Sequence, residues 1–133
     1  MGEQTAANLV KLSRSDLMID DPRDDVRGRQ VVTVGGEKIG EVDDLLVDPG
    51  ERRVRFLQVG TGGFLGIGGH TSLVPVAAVS RVDERHVYVD RSHEHVTGAP
   101  GYDPQVDLAD RYVNDIYGYY GYAPPFVPGA ETE

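Results

Sequence analysis

The sequence predicts a mainly β fold: a small β-barrel of about six short strands, followed by a short C-terminal helix and an aromatic tail. Three observations carry that prediction. Short β-branched and apolar runs recur between turn signals spaced roughly 8–12 residues apart, the rhythm of a small barrel or sandwich. A glycine-dense connection within residues 60–76 joins two such runs while carrying bulky Phe64, Leu65 and Ile67, as a loop folded back onto a core would. Apolar residues fall at helical spacing only once, late in the chain.

Residues 1–25 read as a leader, with Leu9, Val10 and Leu12 as a possible edge strand before the acidic turn Asp20-Asp21-Pro22-Arg23-Asp24-Asp25. The barrel-like region begins at Val26. Residues 29–34 form a β-branched run closed by the hairpin-type turn Gly35-Gly36. In residues 38–47 the apolar positions Ile39, Val42, Leu45, Leu46 and Val47 do not keep one parity, which predicts a bulge or bend at Gly40. After the turn Asp48-Pro49-Gly50-Glu51, residues 54–59 are apolar on both faces and read as a strand covered on both sides.

Leu73-Val74-Pro75-Val76 reads as a strand whose proline puts its end at an edge or bend. Residues 79–82 fit either a turn of helix or a strand. Asp83-Glu84-Arg85 is a turn, and residues 86–90 alternate, with Val87 and Val89 inward and His86, Tyr88 and Asp90 outward. Closure of the sheet into a cylinder is expected, because it removes exposed strand edges. Asp103-Pro104 supplies a helix start, and Val106, Ala109, Val113, Ile116 and Tyr120 share one helical face, with Gly118 as the expected stop. Three segments result: the leader at 1–25, the barrel at 26–104, and the helix with a Tyr/Pro-rich tail at 105–133.

Size and composition bound the function. A chain of 133 residues is long enough to bury a core as one domain. It contains no cysteine, which removes disulfides, thiolate metal sites and cysteine nucleophiles. A net charge of −9 repels phosphate backbones, and Arg52-Arg53-Val54-Arg55 is too small a basic patch to offset it, so no direct nucleic-acid binding is expected. No apolar run is long enough to span a membrane, and the N-terminus lacks signal-peptide character, so a cytoplasmic protein without membrane insertion is expected.

Several runs of residues together resemble one family. Asp25-Val26-Arg27-Gly28-Arg29 leads into Gly35-Gly36-Glu37-Lys38-Ile39-Gly40-Glu41-Val42-Asp43-Asp44-Leu45-Leu46-Val47-Asp48. Arg53-Val54-Arg55-Phe56-Leu57, Gly62-Gly63-Phe64-Leu65-Gly66-Ile67-Gly68 and Leu73-Val74-Pro75-Val76 follow. This pattern resembles the PRC-barrel domain, the small barrel found in the photosynthetic reaction-centre H subunit and in a ribosome maturation factor. The likeness covers roughly residues 26–91, and the flanks are similar to those of bacterial stand-alone PRC-barrel proteins with tyrosine-rich tails.

The resemblance implies a PRC-type barrel and a docking role rather than an enzyme. Two further roles come with it: an accessory barrel on a membrane complex, and ribosome assembly through a ribosomal protein. No stretch of this sequence reads as the transmembrane anchor of the first relative or the companion RNA-processing domain of the second, so neither role is expected to transfer directly.

Catalytic and ligand motifs are weak. Gly63-x-x-x-x-Gly68 is followed by Gly69 rather than lysine, and the third glycine of GxGxxG is replaced by Leu65 or Thr71, so no nucleotide site is expected. His93 and His95, if extended, would share a face and could touch a metal, but no third ligand is evident and a solvated strand end is expected. Glu41, Asp43, Asp44 and Asp48 fit a solvated strand face, and Ser72, Ser80 and Ser92 sit in ordinary contexts.

No catalytic residue, metal or cofactor is therefore assigned. The candidate contact residues are Phe64, Leu65 and Ile67 of the glycine loop, with Tyr112, Tyr117, Tyr119, Tyr120, Tyr122 and Phe126 of the C-terminal region. Tyrosine supplies large contact area at low entropic cost. Three uses of the aromatic segment stay open: packing on its own barrel as a lid, contact with a second copy in a homodimer, or contact with a protein partner of another kind.

Overall fold

The computed structural model describes residues 9–15, 17–61, 70–103 and 110–122. Its strands are β1 (Val10–Lys11), β2 (Gln30–Thr33), β3 (Lys38–Asp48), β4 (Arg53–Thr61), β5 (His70–Pro75), β6 (Val79–Val82) and β7 (His86–Val89). Two helices follow, α1 (His93–Thr97) and α2 (Asp110–Tyr120). All seven strands join one sheet in the order β5-β4-β3-β2-β7-β6, with β1 alongside β3.

β3 organises this sheet. Its first half pairs antiparallel with β2, from Gln30 opposite Glu41 to Val32 opposite Lys38. Its second half pairs with β1, Val10 opposite Val47. Along its other edge it pairs with β4 from Glu41 to Asp48. The β2–β3 turn is the expected glycine pair, with Gly36 N–H donating to Thr33 O at 2.8 Å. Asp48 ties the β3–β4 turn by accepting from Gly50 N–H through Oδ1 at 2.9 Å.

A strand with that many partners cannot stay straight. On β3 the β2–β3 register passes over Ile39 and the β3–β4 register passes over Asp43; opposite Leu46 and Val47 it is β4 that carries the extra residue, Arg55. Each extra residue bends the strand and increases its twist. The phase slip expected at Gly40 thus falls on its neighbours. Gly40 itself serves close approach: a Cβ there would overlap the Gly60 carbonyl oxygen of β4 and crowd Val59 and Thr61.

The core is one cluster. Leu9 and Leu12 of the leader, the inward residues of the sheet, and Val96, Val113, Ile116 and Tyr120 of the helices all belong to it. Val87 and Val89 are fully buried, and β4 is covered on both faces, as expected. Phe56 packs on Tyr117 of α2 with ring centroids 5.1 Å apart, while Leu57 faces a groove across the barrel. Buried Asp44 fastens the leader, accepting from Ser13 N–H at 3.1 Å, from the Ser13 hydroxyl, and from Leu45 N–H at 2.8 Å.

Three expectations need correction. The sheet is not closed by hydrogen bonds: β5 and β6 are its two ends, with no pairing between them. Pro75 cannot donate to a ladder, and the next residues, Val76–Ala78, coil into a 3₁₀ turn before β6 begins. His93 and His95 are not on a strand. Ser92 caps a helical turn by accepting from His95 N–H at 3.0 Å, which sends the two imidazoles in different directions.

The third correction concerns the last helix, which runs through Gly118 and stops one turn later. Gly121 takes a left-handed φ of 86°, and Tyr122 N–H returns to Tyr117 O at 2.9 Å. The start expected at Asp103-Pro104 lies beside residues 104–109, outside the described residues.

The Gly40–Gly60 approach yields a direct test. Gly40→Ala forces the β3 and β4 backbones apart and should cost on the order of 1–3 kcal/mol, as overpacking does. Urea unfolding should show the midpoint lowered with the slope retained. An unchanged midpoint would mean that the strands do not need this contact.

Candidate functional site: the valine groove beside β6

A groove with a volume of about 260 Å³ lies between β6, the start of β4 and the segment before β2. Its walls are Val54 and Leu57 of β4, Val76 of the 3₁₀ turn, Val79 and Val82 of β6, and Val87 of β7. Arg23, Asp24 and Arg53 stand at its rim, and Val26 lies beneath the first two. The space is ample for apolar side chains. It is below the roughly 300–1,000 Å³ usual for small-molecule pockets, and it has no convergent buried polar groups to orient a substrate.

Local chemistry explains why so many valines meet here. In a regular strand Val79 and Val82 would face opposite sides. The β6–β7 register instead shifts between Val79 and Arg81, so that Val79 opposes Val89 and Val82 opposes Val87. The bulge at Ser80 turns both valines toward the groove. Val76 and Val82 remain 41% and 42% exposed there. Unlike exposed Met18 and Val34, which stand outside this groove, they belong to one concave patch.

The β6–β7 turn is held rigid by Asp83. Its Oδ1 accepts from Arg85 N–H at 2.9 Å and from His86 N–H at 2.7 Å, and its Oδ2 accepts from the Tyr88 hydroxyl at 3.1 Å. The donors, Arg85 N–H foremost, hold this carboxyl down at about 2. Outside the groove, the Arg81 guanidinium lies over the Tyr88 ring at 3.8 Å. These contacts fix the hairpin without using the outer edge of β6, which pairs with no strand among the described residues.

The aromatic candidates are placed differently. Tyr117 and Tyr120 are buried in the protein's own core, and Tyr112, Tyr119 and Tyr122 are half-buried against it. Tyr119 stacks on His95 at 4.3 Å and donates its hydroxyl to His95 O at 2.7 Å. Tyr112 donates to Pro100 O at 2.9 Å and stacks on Tyr102 at 5.9 Å. Arg91 donates to Tyr120 O at 2.6 Å. Burial pushes the Tyr112 and Tyr120 hydroxyls well above the usual phenol range. These rings bind α2 to α1 and the sheet, and little of Tyr117 or Tyr120 is left for another molecule. Phe64, Leu65, Ile67 and Phe126 lie outside the described residues.

The groove valines were not singled out from the sequence. Their signal was the spacing of Val79 and Val82, which breaks strand alternation and left residues 79–82 open between a turn of helix and a strand. Among the described residues, no cluster of three metal-ligating side chains occurs, and no helix is long and apolar enough to cross a membrane.

Fold and groove together define a small, mainly β module with one apolar groove beside β6. The PRC-barrel domain model matches residues 15–96, more than half of the chain, and the protein belongs to the PRC-barrel domain family. No curated protein matches the chain.

The Asp83 knot predicts an acid-dependent contribution to stability. A carboxyl held below its unfolded value near 4 stabilises the fold above that value, and the contribution fades as pH falls through about 2. Asp83→Asn should lower the urea midpoint at neutral pH, and the gap from wild type should narrow on acidification across that window. A gap independent of pH would show that the ionised carboxylate is not what holds the turn.

Proposed function

We propose that this protein is a non-enzymatic docking module whose contact surface is the valine-lined seam beside β6. The observation that supports this is the valine-lined groove beside an unpaired strand edge. A free edge offers main-chain donors and acceptors to an extended segment, and alternate apolar side chains of that segment would fill the groove. Chemistry on a substrate would need titratable or nucleophilic groups converging in the pocket. The groups at this one are Arg23, Asp24 and Arg53, all exposed at the rim.

The partner fitting such a surface is a protein segment in extended conformation with apolar residues at its centre. A second copy is a weaker occupant, because each chain carries a net charge of −9 and two copies repel. The accessory membrane-complex role and the ribosome-assembly role are compatible with a docking module, but no feature of the seam favours either.

The test compares proteins retained from native lysate by immobilised wild type and by Val82→Glu. Val82 is exposed, so the substitution should leave the fold intact, which circular dichroism checks. Proteins held through the seam should be depleted several-fold on the variant. The same proteins retained equally by both would overturn the seam as the docking surface.

A further inference from the structure

We propose that the groove takes one kind of occupant: an extended peptide segment that hydrogen-bonds through its main chain to Val82 and sets apolar side chains, two residues apart, among the valines. This rests on the reading of the seam as a docking surface and adds the chemistry and register of what fills it.

The pairing of β7 fixes which way the main chain of Val82 points. Gln30 N–H donates to Arg85 O at 2.9 Å, and β2 then runs parallel to β7 with Val31 opposite Val87. In such a ladder the N–H and C=O of Val87 turn toward β2. On the β6 side, Asp83 N–H donates to His86 O at 2.9 Å and Asp90 N–H to Ala78 O at 3.0 Å. Bonded and non-bonded pairs alternate from there, so Val82 opposite Val87 is a non-bonded pair. Its N–H and C=O therefore point away from β7, where neither has a hydrogen-bond partner among the described residues. Val79 is oriented alike, but its N–H already donates to Val76 O. Val82 is thus the point where a free donor, a free acceptor and a groove-lining side chain coincide.

That coincidence selects the occupant. Val82 is 42% exposed, and whatever covers its side chain also takes its peptide groups out of water. A covered donor and acceptor left unpaired would cancel much of what burying one valine gains. A helix has spent its main chain on internal bonds, and an acyl chain has no polar groups to offer, so neither covers Val82 without that loss. An extended chain brings a matching acceptor and donor. The residue paired with Val82 then points its side chain to the same face, over the groove, and the residue two further on does the same. Val54, Leu57, Val76, Val79 and Val87 receive them. The contact is short, because the bulge at Ser80 intervenes and Arg81, opposite Tyr88, turns its main chain to β7. A segment seated on one residue, rather than a long added strand, is what this edge accepts.

The probe is a phage-displayed library of short random peptides, depleted on immobilised Val82→Glu and then selected on the full-length wild type. Enriched sequences should carry β-branched or aromatic residues at alternate positions. N-methylation of the most enriched peptide, one residue at a time, should weaken binding several-fold at one central residue and little at either neighbour. On binding, the Val82 amide signal should shift and its hydrogen exchange should slow several-fold. N-methylation tolerated at every residue, apolar residues enriched at spacings of three and four, an unmoved Val82 amide, or no enrichment at all would each overturn the main-chain contact. The docking reading fails differently, through lysate proteins retained equally by wild type and Val82→Glu.

Discussion

The close approach of β3 and β4 at Gly40 and Gly60 is the constraint on which the rest of the structure depends. β3 has to serve three neighbours, β2 and β1 in succession on one edge and β4 on the other. It can do so only by bending. The bulges at Ile39 and Asp43 supply the curvature, and the absence of side chains where the backbones meet permits it. Asp43 lies over Gly60 just as Gly40 lies under its carbonyl, so neither glycine accepts a Cβ without displacing its neighbour. Rolled this way, the sheet wraps Val31, Val42, Leu45, Leu57, Val59 and Val87 into one interior.

The sheet ends at β5 and at β6, and the groove lies beside β6. Pro75 stops one of these strands, and the bulge at Ser80 reshapes the other. The groove is walled by valines whose burial is incomplete. Asp83 keeps the β6–β7 hairpin in place without filling that groove. The helices and their tyrosines meanwhile cover other parts of the barrel and complete the core there. The outcome is a barrel with one side finished by its own aromatic residues and one side left as apolar groove.

Much of this was legible in the sequence where the cause is local. The β2–β3 turn, the inward Val87 and Val89, the two-sided burial of β4 and the apolar face of α2 follow from glycine chemistry and apolar period. The leader strand was legible as a possibility, although its pairing with the second half of β3 depends on residues more than thirty positions away. Misreadings arose where two local signals competed. Gly118 and Gly121 both offer a helix end, and only the left-handed turn at Gly121 stops it. His93 and His95 suited a strand end until Ser92 capped a helical turn. The seam could not be read at all, because which side chains meet beside β6 is decided by pairing across the whole sheet. The roles of Tyr117 and Tyr120 were hidden for a related reason: a tyrosine-rich run looks alike whether it faces Phe56 or another protein.

Residue-resolved amide hydrogen exchange tests the open seam most directly. If β5 and β6 are true edges, alternate amides along each should exchange far faster than their neighbours, while β3 and β4, paired along both edges, should be protected throughout their paired length. Uniformly slow exchange along both β5 and β6 would mean that a ladder joins them, and β6 would have no free edge for any segment to meet.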